Sequence, residues 1–293
     1  MKPTPQPAKG AEKILAALAE FEYLTAEQIT KLLYAPSSLS HVRKQLRLLV
    51  AGGFVFPLGG KAVHLHLLYT LSGVGRTYAA ALGTSPRKRV RKGEEQEKGH
   101  NPYFLKHTIA VIDVLISARL LANAHANIEL TRIITERELK RKIYVAIPEK
   151  ICIEPDASCE FLITEDWHET PQTWKDFVHI EAYRHLPPVE WRFKQKIQGY
   201  VTYALSGQHK ALFNTAALSI AVIAQTPQMA ATLKRWTEEA LQEMKRPAEG
   251  GWFFFCNLDP AKARPEELFL SPVWKQAFGT AKTPLLVLGH ETT

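Results

Sequence analysis

The sequence predicts a two-domain chain of mixed class: a small, mainly helical basic module with one hairpin, then a larger α/β domain. Three observations carry this. The chain has 293 residues, and at roughly 100–200 residues per domain that length favours two domains. Its 37 Lys+Arg exceed its 29 Asp+Glu, and the excess is confined to one end, with 15 basic and 7 acidic side chains in residues 1–100 against 22 of each in residues 101–293. The hydrophobic pattern also changes: helical spacing dominates up to residue 82, whereas β-rich runs alternate with helices after residue 125. A basic segment joined to a neutral one points to a polyanion-binding module attached to a domain with another task.

In the first module, Ile14, Leu15, Leu18 and Phe21 fall at helical spacing over residues 12–21. Thr25 to Gln28 forms a capping-box pattern opening a second helix that carries Ile29, Leu32 and Leu33. A third helix is expected over residues 39–50, with Leu39, Val42, Leu46 and Leu49 on one stripe and Gly52 and Gly53 as its stop. Its other face holds Ser40, His41, Arg43, Lys44 and Arg47, which combine hydrogen-bonding reach with charges suited to phosphates. Residues 54–56 and 63–69 read as strands around a glycine turn with Lys61 near the tip, and residues 71–81 return to helix. His64 and His66 alternate onto one strand face, but without Cys, Asp or Glu at metal-ligand spacing they read as surface or phosphate-contacting residues. The order of elements over residues 11–82 resembles a winged helix-turn-helix, which implies double-stranded DNA as partner.

Residues 83–100 read as a charged linker. Five basic residues, among them Arg87, Lys88 and Arg89, lie within 87–92 and are followed by Glu94, Glu95 and Glu97. The basic half suits phosphates through counterion release; a plain flexible connector fits equally well.

The α/β domain, residues 101–293, is expected to open with a helix over 102–125 offering Phe104, Ile109, Ile112, Leu115, Ile116 and Leu120 to a core. Strands are expected at 128–135, at 151–153 and 158–163 on either side of a Glu154-Pro155-Asp156 step, and at 177–181. A helix over 189–205, a strand at 216–224, a helix over 227–245 and a strand at 252–256 follow.

Together the basic module, the segment from Leu105 to Asp113 with His107, the Pro155-Asp156-Ala157 step, the strand ending in Glu181 and the helix carrying Phe193, Lys196 and Tyr200 resemble the replication-relaxation family of plasmid and conjugative-element proteins. The family pattern places a second acid two residues after the strand Glu; this chain has Tyr183 there, which puts any carboxylate-pair role in doubt. More remotely, the order resembles a degenerate restriction-endonuclease-like fold. That resemblance implies Asp156 and Glu181 as carboxylates for Mg²⁺, with Lys196 on the next helix in place of the missing strand lysine. Lys196 lies on the flank of the face formed by Phe193, Ile197, Tyr200 and Ala204, so it either leans inward or snorkels to water. Lys194, four residues after Glu190, reads as an exposed ion pair. The plain alternatives are a turn role for Asp156 and a Glu181 satisfied by Arg184 or Arg132.

Other chemistries lack their motifs. There is no P-loop, dinucleotide fingerprint, GxSxG elbow or HExxH, nor the His-hydrophobe-His with catalytic Tyr of relaxases. Cys152, Cys159 and Cys256 lack CxxC spacing, and neither a 20-residue apolar run nor a signal-peptide core is found, so a cytoplasmic protein with reduced thiols is expected. The expected function is sequence-selective DNA binding without catalysis or cofactor, in plasmid replication, mobilisation or transcription control. A homodimer reading paired half-sites and contacts with replication or mobilisation proteins are expected as well. The alternative is a Mg²⁺-dependent nuclease using Asp156, Glu181 and Lys196.

Overall fold

Ala11–Phe21 (α1) buries Ile14, Leu15, Leu18 and Phe21 together, as their spacing requires. The structure is a computed structural model and describes residues 7, 10–58, 67–85, 102–136, 138–139, 153–165, 171–184 and 188–288. It divides into two compact units, residues 1–116 and 117–293, so the division falls inside the long helix Pro102–Ala124 (α5).

In the first unit, Ala26–Leu33 (α2) starts with the expected capping box. Thr25 Oγ1 accepts from Gln28 N at 3.1 Å, and Thr25 N donates to Gln28 Oε1 at 3.0 Å. Gln28 is also tied to α5, since its Nε2 donates to Ile109 O at 3.0 Å and to Asp113 Oδ1 at 2.9 Å. Leu39–Ala51 (α3) buries Val42, Leu46 and Leu49, with Leu39 half-buried. Val55–Leu58 (β1) and Leu68–Leu71 (β2) pair antiparallel.

The hairpin strands are displaced from the sequence expectation: Pro57 and Leu58 are strand rather than turn, and Leu71 is strand rather than helix. Pro57 is tolerated because its opposite residue, Tyr69, turns its backbone groups away from it. Tyr69 exchanges hydrogen bonds of 2.8 and 3.1 Å with Leu24, so no ladder bond needs the missing proline N–H. Gly73–Ala81 (α4) begins only after Ser72, whose Oγ accepts from Gly75 N at 3.0 Å.

Residues Ala110 to Ala118 of α5 are buried without interruption, so this stretch of the helix is covered on every side rather than along one stripe. Of the residues expected in its core, Ile112, Leu115 and Ile116 are buried, while Phe104, Ile109 and Leu120 are half-buried.

Among its described residues, the second unit is built on one seven-stranded sheet. Its strands, in spatial and chain order, are Ile128–Thr135 (β3), Ala157–Glu165 (β4), Gln172–Tyr183 (β5), Ser219–Ala224 (β6), Phe253–Cys256 (β7), Trp274–Gln276 (β8) and Lys282–Thr283 (β9). β5, β6 and β7 are parallel and all other neighbours antiparallel. Each parallel step needs a crossover, and helices supply it: Glu190–Leu205 (α6) with Gln208–Phe213 (α7), then Pro227–Glu243 (α8). Phe177, Ile220, Val222, Phe253 and Phe255 form one sheet face, packed with Phe193, Ile197, Tyr200 and Tyr203 of α6 and Leu233, Ala240 and Leu241 of α8. Ile153, expected in a strand, is buried but lies in no strand, and Ile151 and Cys152 fall outside the described residues. The chain is thus mixed α/β. Cys159 and Cys256 are free, and burial pushes both thiols up to about 12.

Candidate functional site

The first candidate surface is the outer side of α3. Because Val42, Leu46 and Leu49 anchor the helix inward, Ser40, His41, Arg43, Lys44 and Arg47 are all exposed. They are not equally available. Arg43 Nη2 donates to Glu27 Oε1 at 2.8 Å, which neutralises one of the three long cations. His41 lies edge-on to Tyr34, with ring centroids 5.9 Å apart. The Tyr69 phenol is raised by burial and by Glu27, while Arg43 and Arg47 act on it in the opposite direction, so β2 lies beside the cationic side of α3. Lys61, His64, His66, Arg87, Lys88 and Arg89 lie outside the described residues.

The second candidate is at the end of β5. Residues 177, 179, 181 and 183 share the sheet face covered by α6, which directs Glu181 at that helix. Lys196 Nζ donates to Glu181 Oε2, and Tyr200, one turn later, donates its hydroxyl to Oε1. Lys196 therefore leans inward. Neither Arg184 nor Arg132 serves Glu181: Arg184 donates to Leu258 O at 3.0 Å and approaches Asp259, and Arg132 approaches Glu138 at 3.5 Å.

Asp156 is one register step beyond the pair Ala157 and Ile180, hence across from Glu181. Its backbone N donates to Ile180 O at 3.0 Å, and its Oδ2 accepts from Ala182 N at 2.7 Å. The three residues proposed from sequence thus meet at one end of β5, with Tyr183 beside them.

Electrostatics follow from burial. Glu181 is 2% exposed, and loss of water pushes its carboxyl up to about 7 despite Lys196, with Asp156 adding to the rise. Lys196 is held above its ordinary range, the loss of water being outweighed by Glu181, Tyr183 and Asp156. Tyr200 is raised well above 10, first by burial, so its hydroxyl stays a donor. Both Glu181 oxygens are engaged, and a divalent ion reaching them would have to displace Lys196 or Tyr200. Among the described residues no group of three His, Cys, Asp or Glu side chains converges as a metal site. Lys194 meets Glu190 at 3.0 Å as expected, but also Glu239 at 2.8 Å, and is half-buried rather than exposed.

Next to this centre is a polar group that the sequence did not single out. His179 is fully buried and shares a 2.6 Å hydrogen bond between its Nδ1 and Ser158 Oγ. Burial, then His209 and Lys196, lowers its pKa well below 6.5. Both residues are buried, and the His179 ring packs against Phe177 and Tyr200 at centroid distances of 5.1 and 5.6 Å. Tyr200 could have been found in the sequence, as it stands four residues after Lys196 on the same helix side.

A family model described as replication-relaxation matches residues 15–216. The chain belongs to the replication-relaxation family. No curated protein and no solved structure matches it significantly. The replication-relaxation match contains α3 and the Asp156, Glu181, Lys196 and Tyr200 cluster, and it ends before β6. Among the described residues no helix is long and apolar enough to cross a membrane.

Proposed function

We propose that this replication-relaxation protein is a sequence-selective binder of double-stranded DNA, with residues 11–82 acting as a winged helix-turn-helix and α3 as its recognition helix. The observation that carries the reading is the polar, cationic and exposed outer face of α3, fixed from behind by three buried side chains. Ser40, His41, Lys44 and Arg47 face the bases, and Arg43, Lys61 and the basic run at 87–92 neutralise phosphates, with residues 83–100 as the linker. Family membership supports a role in replication or mobilisation of a mobile element; a plasmid as that element and the cytoplasm as its place belong to the proposal. The α/β domain is then a degenerate restriction-endonuclease-like fold that serves dimerisation or docking of replication or mobilisation proteins and uses no cofactor.

The test is duplex binding by fluorescence anisotropy across salt concentrations. Lys44→Ala or Arg47→Ala should weaken specific binding by about 1–3 kcal/mol, and affinity should fall steeply with salt. A salt-insensitive complex, or no binding at low salt, rejects the reading in favour of a protein-interaction module.

The meeting of Asp156, Glu181 and Lys196 favours a second reading, a Mg²⁺-dependent nuclease. It requires Glu181 to release Tyr200 or Lys196 when the ion binds. Incubation with supercoiled plasmid and Mg²⁺ or Mn²⁺ separates the two: metal-dependent nicking that is lost in Asp156→Ala selects the nuclease.

A further inference from the structure

The second unit is neutral in sum but not in distribution. A cleft of about 540 Å³ lies between α8 and β7 to β9, outside the family match, and its lining holds four cations, Lys234, Arg235, Lys275 and Lys282, against one carboxylate, Glu238. Two of the four are compensated locally: Lys234 pairs with Glu238, whose Oε1 also accepts from Phe278 N at 2.8 Å, and Arg235 pairs with Glu239.

Lys275 and Lys282 are different. They are direct cross-strand partners on β8 and β9, and both are exposed. Among the described residues no carboxylate makes an ion pair with either. Partners in an antiparallel pair have Cβ atoms about 5 Å apart, and like charges so placed destabilise the sheet. A bound anion between them removes that cost.

The setting favours the same ligand. Pro227, Ala230 and Ala231 bring the first turns of α8 to the cleft wall, and the positive end of that helix dipole adds to the field. The cleft opens past the carboxyl ends of parallel strands β6 and β7, where ligands bind in open α/β sheets. Its one aromatic lining residue, Phe255, is buried in the core and offers no face on which a base could stack. The lining therefore suits a chain of phosphates better than a nucleotide held by its base.

We propose that this cleft binds the phosphodiester backbone of a single nucleic-acid strand through Lys275 and Lys282, as a contact separate from α3. The experiment uses the full chain and a fluorescent oligothymidylate, with binding measured at stepped salt concentrations. Lys275→Ala combined with Lys282→Ala should weaken binding at least tenfold at low salt and reduce the slope of log affinity against log salt by about 1.4, the value for two single-strand phosphate contacts. The charge-conserving Lys275→Arg with Lys282→Arg should retain binding. Lys210→Ala with Lys262→Ala, which removes two exposed charges that do not line the cleft, should change little.

Arg47→Ala should leave oligothymidylate binding intact while impairing duplex binding, so failure of the α3 reading and failure of this one give different results. An unchanged affinity and slope in the Lys275/Lys282 double alanine variant overturns the proposal, as does a wild-type protein that does not bind the oligonucleotide. Displacement of the oligonucleotide by pyrophosphate at equal phosphate concentration would assign the cleft to a small phosphorylated ligand and overturn the nucleic-acid assignment.

Discussion

Lys196 on α6 donates to Glu181 on β5, and this ion pair is closed on its other side by the Tyr200 hydroxyl. Breaking one partner of a buried pair leaves the other charge without compensation, at a cost of about 3–5 kcal/mol. In Lys196→Ala that cost should depend on pH. Glu181 already has a folded-state value of about 7, above its ordinary 4.5, and removing the lysine raises it further. A carboxyl raised in the folded state binds protons there that the unfolded chain has released, so its stability contribution falls as pH rises between the two values. Between 4.5 and 7 wild type and variant lose stability alike, so the deficit of Lys196→Ala should grow only above pH 7, by up to about 1.4 kcal/mol per pH unit in urea unfolding. A deficit independent of pH would show that Glu181 is not the group left unpaired.

His179 responds in the opposite direction. Burial keeps its imidazole neutral in the folded chain, and His209 is likewise lowered, first by burial. In the unfolded chain both take up protons near 6.5. Below that pH the unfolded chain binds more protons, so these residues subtract stability as pH falls. The wild type should hold an advantage over His179→Gln at pH 7 that narrows by pH 5, as read from melting temperatures. A constant gap would mean that the ring titrates normally.

Elements with a repeating apolar period were the most legible, whereas β5, the longest strand, begins at Gln172 although its apolar run announces only 177–181. β3 lies where its apolar run predicts, and α1, α5, α6 and α8 fall within a few residues of their expected bounds, because each is long enough for periodicity to repeat. α7, the helix Pro265–Phe269, β8 and β9 have six residues or fewer and leave no period to detect. The same limit hid the basic cleft, since Lys275 and Lys282 become neighbours only through a strand pairing that no sequence spacing announces. At the β5 site, Glu181 and Lys196 could be paired from strand parity and helix phase, whereas the coupling of His179 to Ser158 depends on the register between β4 and β5.

Glu27 restrains one of the α3 cations. Its 2.8 Å contact with Arg43 neutralises a charge that the DNA-binding reading assigns to phosphate. Glu27→Ala should release Arg43, tighten duplex binding several-fold at low salt and steepen the salt slope by about 0.9, one further duplex phosphate contact. The cost to the first turn of α2 is small, about 0.5 kcal/mol from the lost favourable charge at the helix N-terminus. Anisotropy titrations of wild type and variant at three salt concentrations decide it, and an unchanged slope would place Arg43 away from the backbone.

Among the described glycines of the first unit, Gly75 carries the tightest approach. A Cβ there would lie 2.0 Å from Phe54 O, and that carbonyl is held in place because it accepts from Ser72 N at 2.8 Å. Neither group can yield without pulling α4 away from the residues that follow α3, so Gly75→Ala should cost about 3 kcal/mol or more, the upper end for overpacking. Gly73, where an added Cβ meets nothing within 4 Å, is the matched control and should change by less than about 1 kcal/mol as alanine. The readout can be localised, because all 6 tryptophans lie in residues 167–274 of the second unit. Urea unfolding of Gly75→Ala should show an early loss of far-ultraviolet helical signal while the tryptophan emission transition stays near its wild-type midpoint. Unfolding of Gly75→Ala indistinguishable from that of Gly73→Ala would refute the close approach, and equal shifts in both signals would show that its effect spreads beyond the first unit.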